Sequence, residues 1–468
     1  MLSLIIEKGR ATMRKRYTIE IAANNNLVVY CPQELLKGKE INKIAFGSKA
    51  IEVDFRPHPK KNNCLVISKE IQKLLYFPDF AIKLHVFIEH QVLNIGPLVG
   101  IFTAGFTPFP LRPIGDRTNF FSKLLSVKTN VGAIPFVFGE QHINWEKGTI
   151  NGYLFHENNW QTIEVPFPHV IYDRLPNRKT ERNPKLVKVR ETLQRDYLIP
   201  WYNPGFFSKL DIYERLQQDN SVGIYLPETH PFTSFSLLEQ MLSKYGHIYL
   251  KPINGSLGLG VHQILYDKIQ DEYYCRYQDR KGVNRLQKFS SLEGLFRTVL
   301  GNRNLDKMIV QQGIHLLRQN QRPIDFRIHT NKDDSGEWHV TALAAKIAGR
   351  GSVTTHARSG GEVKTLAEIF QQDECKLYTE KLVKAALQLS NSLANNMEGI
   401  IAEIGFDLGI DKHGDVWLFE ANSKPGRSIF SHPELKAFDK LTCKLSMSFA
   451  IFLTEQSILY PEDVIKWS

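Results

Sequence analysis

Hydrophobic and polar positions follow three different rhythms along this chain. Over residues 1–88 short β-branched runs such as Tyr17-Thr18-Ile19-Glu20-Ile21, Leu27-Val28-Val29-Tyr30 and Ile51-Glu52-Val53-Asp54-Phe55 are separated by turns rich in Asn, Gly, Pro and Lys. That pattern predicts the strands of a small barrel or sandwich, a β-rich domain with no evident chemistry. Over residues 89–205 the runs become compact and fully apolar: Leu98-Val99-Gly100-Ile101-Phe102, residues 133–138, and Pro168-His169-Val170-Ile171-Tyr172. A helix-length segment at 119–128 lies between the first two, so a small parallel α/β domain is expected. From 206 to 468 long strands alternate with two helices, at 233–244 behind a Thr or Ser cap and at 378–397. The second places Leu382, Ala386, Leu389, Leu393 and Met397 on one face, which marks core positions. The fold class is α+β in three parts.

At 468 residues the chain exceeds one small core, and 42% hydrophobic with 23% charged residues excludes disorder and fibrous repeats. No apolar run approaches the ~18 residues a membrane span needs. The stretch Leu2-Ser3-Leu4-Ile5-Ile6 is broken at once by Glu7, Lys8 and Arg10, a poor leader. A soluble, intracellular protein with no membrane partner is the expectation. Cys31, Cys64, Cys275, Cys375 and Cys443 are scattered and odd in number, which suits neither a disulfide framework nor zinc and implies a reducing compartment. Lys and Arg number 59 against 49 Asp and Glu, a formal charge of +10 that favours an acidic partner such as a nucleotide. The densest basic segment, with Arg174, Arg178, Lys179, Arg182, Lys185, Lys188 and Arg190, lacks interleaved aromatics until Tyr197 and Trp201. It reads as a solvated linker and helix face, and nucleic acid is not the expected partner.

Candidate chemistry begins at Ile248-Tyr249-Leu250-Lys251-Pro252, a strand that delivers a lysine. Gly255, Ser256, Gly258 and Gly260 follow in a loop, and Val261-His262-Gln263-Ile264 reads as a returning strand. Glycines let backbone N–H groups approach a phosphate without Cβ obstruction, and Lys251 adds a positive charge. The Lys-Ser/Thr closure of a Walker loop is absent and the returning strand argues against a dinucleotide fingerprint, so a hairpin lid over phosphates fits better.

A second constellation is a C-terminal hairpin. Residues 404–409 contain Asp407, a turn follows at Asp411-Lys412-His413-Gly414, and Val416-Trp417-Leu418-Phe419-Glu420-Ala421-Asn422 returns. Glu420 and Asn422 are two apart on a strand and share a face, and the turn brings Asp407 near them. Two carboxylates and an amide oxygen suit magnesium held with substrate phosphates. Trp417, Phe419 and Ala421 are expected to form the opposite, apolar face. Between the two constellations, Arg327 in Asp325-Phe326-Arg327-Ile328-His329 and Lys346 in residues 342–348 set cations into apolar strands. Each alone could pair with a core acid; together with Lys251 they point to a phosphate site.

From about residue 206 onward this order of parts resembles the ATP-grasp superfamily, in which two α+β lobes clamp ATP. The resemblance implies that Lys209, in Phe207-Ser208-Lys209-Leu210, and Lys251 contact ATP, with the glycine lid above. It implies that hinge residues Gln311, Gln312 and Ile314 border adenine, with Gln312 where relatives carry an acid. Arg327 and Lys346 would lie against the β- and γ-phosphates as catalytic cations, Lys346 standing where glutamate-ligase relatives carry arginine. Asp407, Glu420 and Asn422 would hold Mg2+. More narrowly, Ile95-Gly96-Pro97-Leu98-Val99-Gly100-Ile101, Val170-Ile171-Tyr172-Asp173-Arg174 and Tyr225-Leu226-Pro227-Glu228-Thr229 are similar to the YheC/YheD family of endospore coat-associated ATP-grasp proteins. That resemblance implies a spore former, a mother-cell cytoplasmic or spore-coat location, and spore coat proteins as partners.

The implied activity is a carboxylate–amine ligase that uses ATP and Mg2+ through an acyl phosphate. Its acceptor would be a small molecule or polypeptide with an amine, such as a spore protein. The polar loop holding Ser352, Thr355, His356, Arg358, Ser359, Gly360 and Gly361 would border that acceptor. Arg427 is read either as a carboxylate anchor or as a surface residue. A small-molecule kinase and a structural coat component with a vestigial ATP site are the alternatives.

Overall fold

The computed structural model describes residues 14–59, 63–254, 259–279, 281–301, 305–355 and 360–463. Residues 2–6, the loop residues Gly255, Ser256 and Gly258, and His356, Arg358 and Ser359 lie outside these.

The first sheet has eight strands. Arg16–Ala22 lies inside it, parallel to Cys64–Ser68 and antiparallel to Ile82–Glu89. Its last strand, Val92–Gly96, pairs with Ile82–Glu89. The two edge strands, Lys49–Glu52 and Asp54–Pro57, are separated only by Val53, so the sheet rolls until its edges meet. The run 51–55 is therefore two strands and not the single one its alternation suggests. The physical reason is that consecutive amides pair elsewhere: Val53 N donates to Asn42 O at 3.0 Å and Asp54 N to Leu27 O at 2.9 Å.

The second sheet centres on Leu98–Phe102, parallel to Ile134–Phe138 on one side and Val170–Asp173 on the other. Helix Thr118–Leu125 crosses between the first two, burying Phe121, Leu124 and Leu125. A long hairpin, Thr149–His156 with Asn159–Pro166, extends this sheet. Both sheets contribute to one core, which runs from Tyr17 and Ile19 to Phe102, Phe138 and Trp201.

The third sheet holds Thr229–Pro231, Met308–Gln312, His247–Pro252, His262–Asp267, Glu272–Gln278 and Asn284–Phe289 in that order. Helix Phe235–Tyr245 starts at Ser234, whose hydroxyl accepts from Leu237 N at 3.3 Å. The helix buries Leu238, Met241 and Leu242 against Ile248, Leu250, Ile264 and Val310. Period-two alternation then turns the intervening residues to the other face. Thr229, Gln311, Tyr249, Gln263 and Arg276 lie directly across from one another there.

The fourth sheet runs Glu362–Lys364, Trp338–Ile347, Arg322–Lys332, Glu403–Ile410, Val416–Asn422. Ile324, Phe326 and Ile328 share a core with Leu382, Ala386, Leu389 and Leu393 of helix Gln372–Asn396. That leaves Asp325, Arg327 and His329 on the opposite face. The last helix, Lys436–Leu459, packs Cys443, Met447 and Phe449 with Val99, Phe121, Leu124 and Tyr172, tying the second sheet to the fourth. All five cysteines are buried, and none is in a disulfide. Among the described residues no helix is long and apolar enough to cross a membrane.

Candidate functional site

The uncovered faces of the third and fourth sheets approach one another, and a cleft lies between them. Lys209, Thr229, Lys251, Gln311, Phe419 and Glu420 are among its lining residues. Lys209 opens helix Lys209–Gln217 and Lys251 is the last residue but one of its strand, so two cations enter from different elements. Lys251 Nζ donates to Gln311 Oε1 at 2.6 Å, and Gln311 Nε2 donates to Thr229 Oγ1 at 2.8 Å. Burial, then the neighbouring Lys209 cation, push the Lys251 ammonium down to about 7, against the pull of Glu420 and Asp407.

Asp407 and Glu420 are directly opposed on the hairpin, and Asn422 lies opposite Gly405. The register shifts beside Asp407, because Leu408 pairs with Leu418 and Phe419 is the extra residue. This bulge changes which residues face the core. Val416, Leu418 and Ala421 belong to that core, whereas Phe419 lies outside it and lines the cleft beside Leu418 and Ala421, and Trp417 donates from Nε1 to Asp411 Oδ2 at 3.0 Å. The expected apolar face of Trp417, Phe419 and Ala421 is corrected accordingly; strict alternation fails at the bulge.

The carboxylates meet the cations. Lys209 Nζ lies 3.0 Å from Glu420 Oε1. Arg327 grips Asp407 with Nε to Oδ1 at 3.1 Å and Nη2 to Oδ2 at 3.1 Å. Lys346 Nζ is 2.8 Å from Asp407 Oδ1 and 3.0 Å from Asp325 Oδ1. Burial opposes ionisation of Asp407, but the adjacent Arg327 and Lys346 cations outweigh it and hold the carboxyl below its usual range. Asp325 is displaced the other way by burial, although Lys346 partly offsets this. The Thr355 hydroxyl also donates to Asp325 Oδ2, which moors Thr355 to the site.

Other candidates stand further out. Gln312 is spent on the adjacent segment: its Oε1 accepts from Glu228 N at 3.1 Å and its N–H donates to Glu228 O at 2.8 Å. Gly313 N donates to His247 O at 2.8 Å and Ile314 is buried, which fixes the hinge backbone. Gly260 takes a left-handed φ of 74° at the described end of the lid loop. Arg427 is neither a surface residue nor a free anchor. Its Nε donates to Asp439 Oδ1 at 2.8 Å, joining the end of the hairpin to the last helix.

Sequence reading assigned no role to Asp325, Thr229 or His329. Two-residue spacing from Arg327 could have placed Asp325 and His329 on its face; Thr229 depends on strand pairing and left no local signal.

Among the described residues no group of three or more His, Cys, Asp or Glu side chains gathers as a metal site. The available donors are two opposed carboxylates and an amide. Asp407 Oδ1 is buried and accepts no aligned hydrogen bond, although it is ion-paired. Such hard oxygens fit magnesium shared with phosphate.

A model of the YheC/D-like ATP-grasp domain matches residues 198–453. The chain is 39% identical to the endospore coat-associated protein YheD of Bacillus subtilis over 96% of its length and 98% of that protein's. It is 25% identical to YheC of the same organism over 64% of its length and 82% of that protein's. Among solved structures, a D-alanine–D-alanine ligase from Bacillus anthracis aligns with a TM-score of 0.44 and 13% identity, covering 76% of this chain and 99% of that one. The family model and the 39% identity to YheD together show that the chain belongs to the YheC/D-like ATP-grasp family.

Proposed function

We propose that the protein is an ATP- and Mg2+-dependent ligase that joins a carboxylate to an amine, with an amine-bearing spore polypeptide or small molecule as acceptor. The observation that carries this reading is the convergence of Arg327 and Lys346 on Asp407, directly across from Glu420, which lines the cleft. Cations fixed before the reaction stabilise charge on a phosphoryl group in transfer without reorganising. Asp407, Glu420 and Asn422 would hold magnesium, which when bound offsets the triphosphate charge. Lys209 and Lys251 would hold the nucleotide between the lobes, with the hinge at Gln311, Gln312 and Ile314 beside adenine and the lid glycines Gly255, Gly258 and Gly260 with Ser256 over the phosphates. Arg327 and Lys346 would orient the terminal phosphoryl group.

In the proposed reaction a substrate carboxylate oxygen bonds to the terminal phosphorus as the bond to the ADP oxygen breaks. The amine nitrogen then bonds to the acyl carbon, inorganic phosphate leaves and the nitrogen gives up a proton. The hydrogen bond from Thr355 to Asp325 supports an acceptor entering beside Thr355. The similarity to an endospore coat-associated protein supports a mother-cell or coat setting for the substrate.

Incubation with ATP, magnesium, amino acids and an extract of sporulating cells tests the reading, with and without hydroxylamine. A ligase gives a hydroxamate and a polypeptide heavier by amino-acid residues. A phosphate ester that survives hydroxylamine, with no mass-shifted polypeptide, makes the protein a kinase instead.

A further inference from the structure

The face of strand Arg322–Lys332 that bears Asp325 and Arg327 continues to His329 and Asn331. Its far end is closed. Asn331 Nδ2 donates to Ser446 Oγ of the last helix at 3.1 Å, and Ala342, Ala344, Ile429 and Phe430 form a small core over it. The His329 ring meets Phe430 edge to face with centroids 5.3 Å apart. His329 thus stands one step beyond Arg327 toward this closed end, and it is 0% exposed.

Neither ring nitrogen of His329 has a hydrogen-bond partner. Burial, then the Arg327 and Arg427 cations, hold its pKa well below the usual histidine value, so the ring is neutral. A neutral imidazole carries one N–H, and leaving a buried donor unpaired is costly.

Arg327 shows the same deficit independently. Its Nε and Nη2 engage Asp407, while Nη1 is buried without a hydrogen-bond partner. Nη1 reaches within 3.1 Å of the point where a Cβ on Gly405 would stand, and Gly405 is the residue directly across from His329. Two residues with unpaired donors therefore adjoin one glycine, Arg327 by its Nη1 and His329 by strand register, one register step from Asp407. Unpaired donors beside a cationic wall call for an anionic oxygen, and a neutral second donor supplies a hydrogen bond without a third positive charge.

The geometry points to His329 as a nucleotide-contacting residue that, with Arg327 Nη1, donates to an oxygen of the terminal phosphoryl group of ATP. This rests on the reading of the Arg327–Lys346 face as the phosphate end of the nucleotide site. It adds that His329 tells ATP from ADP.

Calorimetry on the full chain tests it with the magnesium complexes of ADP and of a β,γ-imido analogue of ATP. His329→Leu should weaken binding of the imido analogue by about tenfold or more while ADP affinity stays within about twofold. His329→Asn, which keeps an N–H on a shorter reach, should lose about threefold for the imido analogue alone. It decides the matter by the same ratio if the Leu variant does not fold. Equal losses for both nucleotides would mean a structural role and overturn the assignment, as would no loss for either. Failure of the unaltered protein to bind either nucleotide would instead remove the nucleotide-site reading itself.

Discussion

Lys209 and Glu420, 211 positions apart in sequence, meet with Nζ 3.0 Å from Oε1 and join the start of a helix to the carboxylate hairpin across the cleft. Glu420 therefore has an internal cation partner and also faces Asp407 in register. Glu420→Gln keeps the shape but removes the charge that the proposed metal needs. Turnover measured as ADP release should fall by at least about a hundredfold, the scale of losing one preorganised electrostatic contact. The pair is partly exposed, at 13% and 27% for the two side chains, so unfolding curves should move only slightly. Full turnover in this variant would remove Glu420 from the site.

Each carboxylate of the site is engaged by a lysine or arginine: Glu420 by Lys209, Asp407 by Arg327 and Lys346, Asp325 by Lys346. Metal alone must compete with these cations, and triphosphate alone must compete with these acids. Bound together, each ligand frees the groups the other needs. Magnesium should raise ATP affinity by about 5- to 150-fold, and ATP should raise magnesium affinity by the same factor, because the coupling is reciprocal. Paired calorimetric titrations check both directions, and independence of the two ligands would contradict the exchange of partners.

Much of this site was legible because its cues are local. Lys251 ahead of glycines, and Glu420 and Asn422 two apart on a strand, are short-range patterns. So are Arg327 and Lys346, cations in otherwise apolar strands. What escaped depends on pairing at a distance. The bulge beside Asp407 has no sequence mark, and it moves Phe419 out of the expected apolar face into the cleft. Gln311 reads as a hinge residue, yet its amide bridges Lys251 and Thr229, which only strand order brings together. The last helix lacks a clean stripe because it buries residues against two sheets at once, from Thr442 to Leu453. The long hairpin from Thr149 to Pro166 escaped for a related reason, since exposed positions interrupt the apolar face of its second strand.

Gly405 leaves room for the arginine that grips Asp407. A Cβ there would lie 2.4 Å from Pro425 Cβ and 3.1 Å from Arg327 Nη1. Proline cannot swing aside like a flexible side chain, so Gly405→Ala should cost about 1–3 kcal/mol of stability by overpacking. It should also displace Arg327, and turnover should fall by more than the folded fraction does. Chemical denaturation alongside ADP release separates the two effects. Loss of stability with unchanged turnover per folded molecule would detach Gly405 from the chemistry.

Lys251 predicts opposite pH trends for folding and for nucleotide binding. Its ammonium is pushed down to about 7 in the folded protein, first by burial and then by Lys209, whereas an unfolded lysine keeps a value near ~10.4. Between these limits the unfolded chain binds the extra proton, so this residue's contribution to stability rises with pH from about 7 toward 10. Below about 7 the lysine is charged in both states, and the full cost of burying that charge is borne by the fold. A phosphate beside Lys251 favours the charged form, so nucleotide binding draws a proton onto it and affinity falls as pH rises through 7. At pH 8 the phosphates have already lost their own protons, which leaves the lysine as the group that takes one up. Calorimetry of Mg·ADP binding at pH 8, in buffers of different ionisation enthalpy, should therefore report uptake approaching one proton. Lys251→Met should abolish that uptake and flatten the pH dependence of affinity. Proton uptake that persists undiminished in the methionine variant would assign it to another group and place Lys251 away from the phosphates.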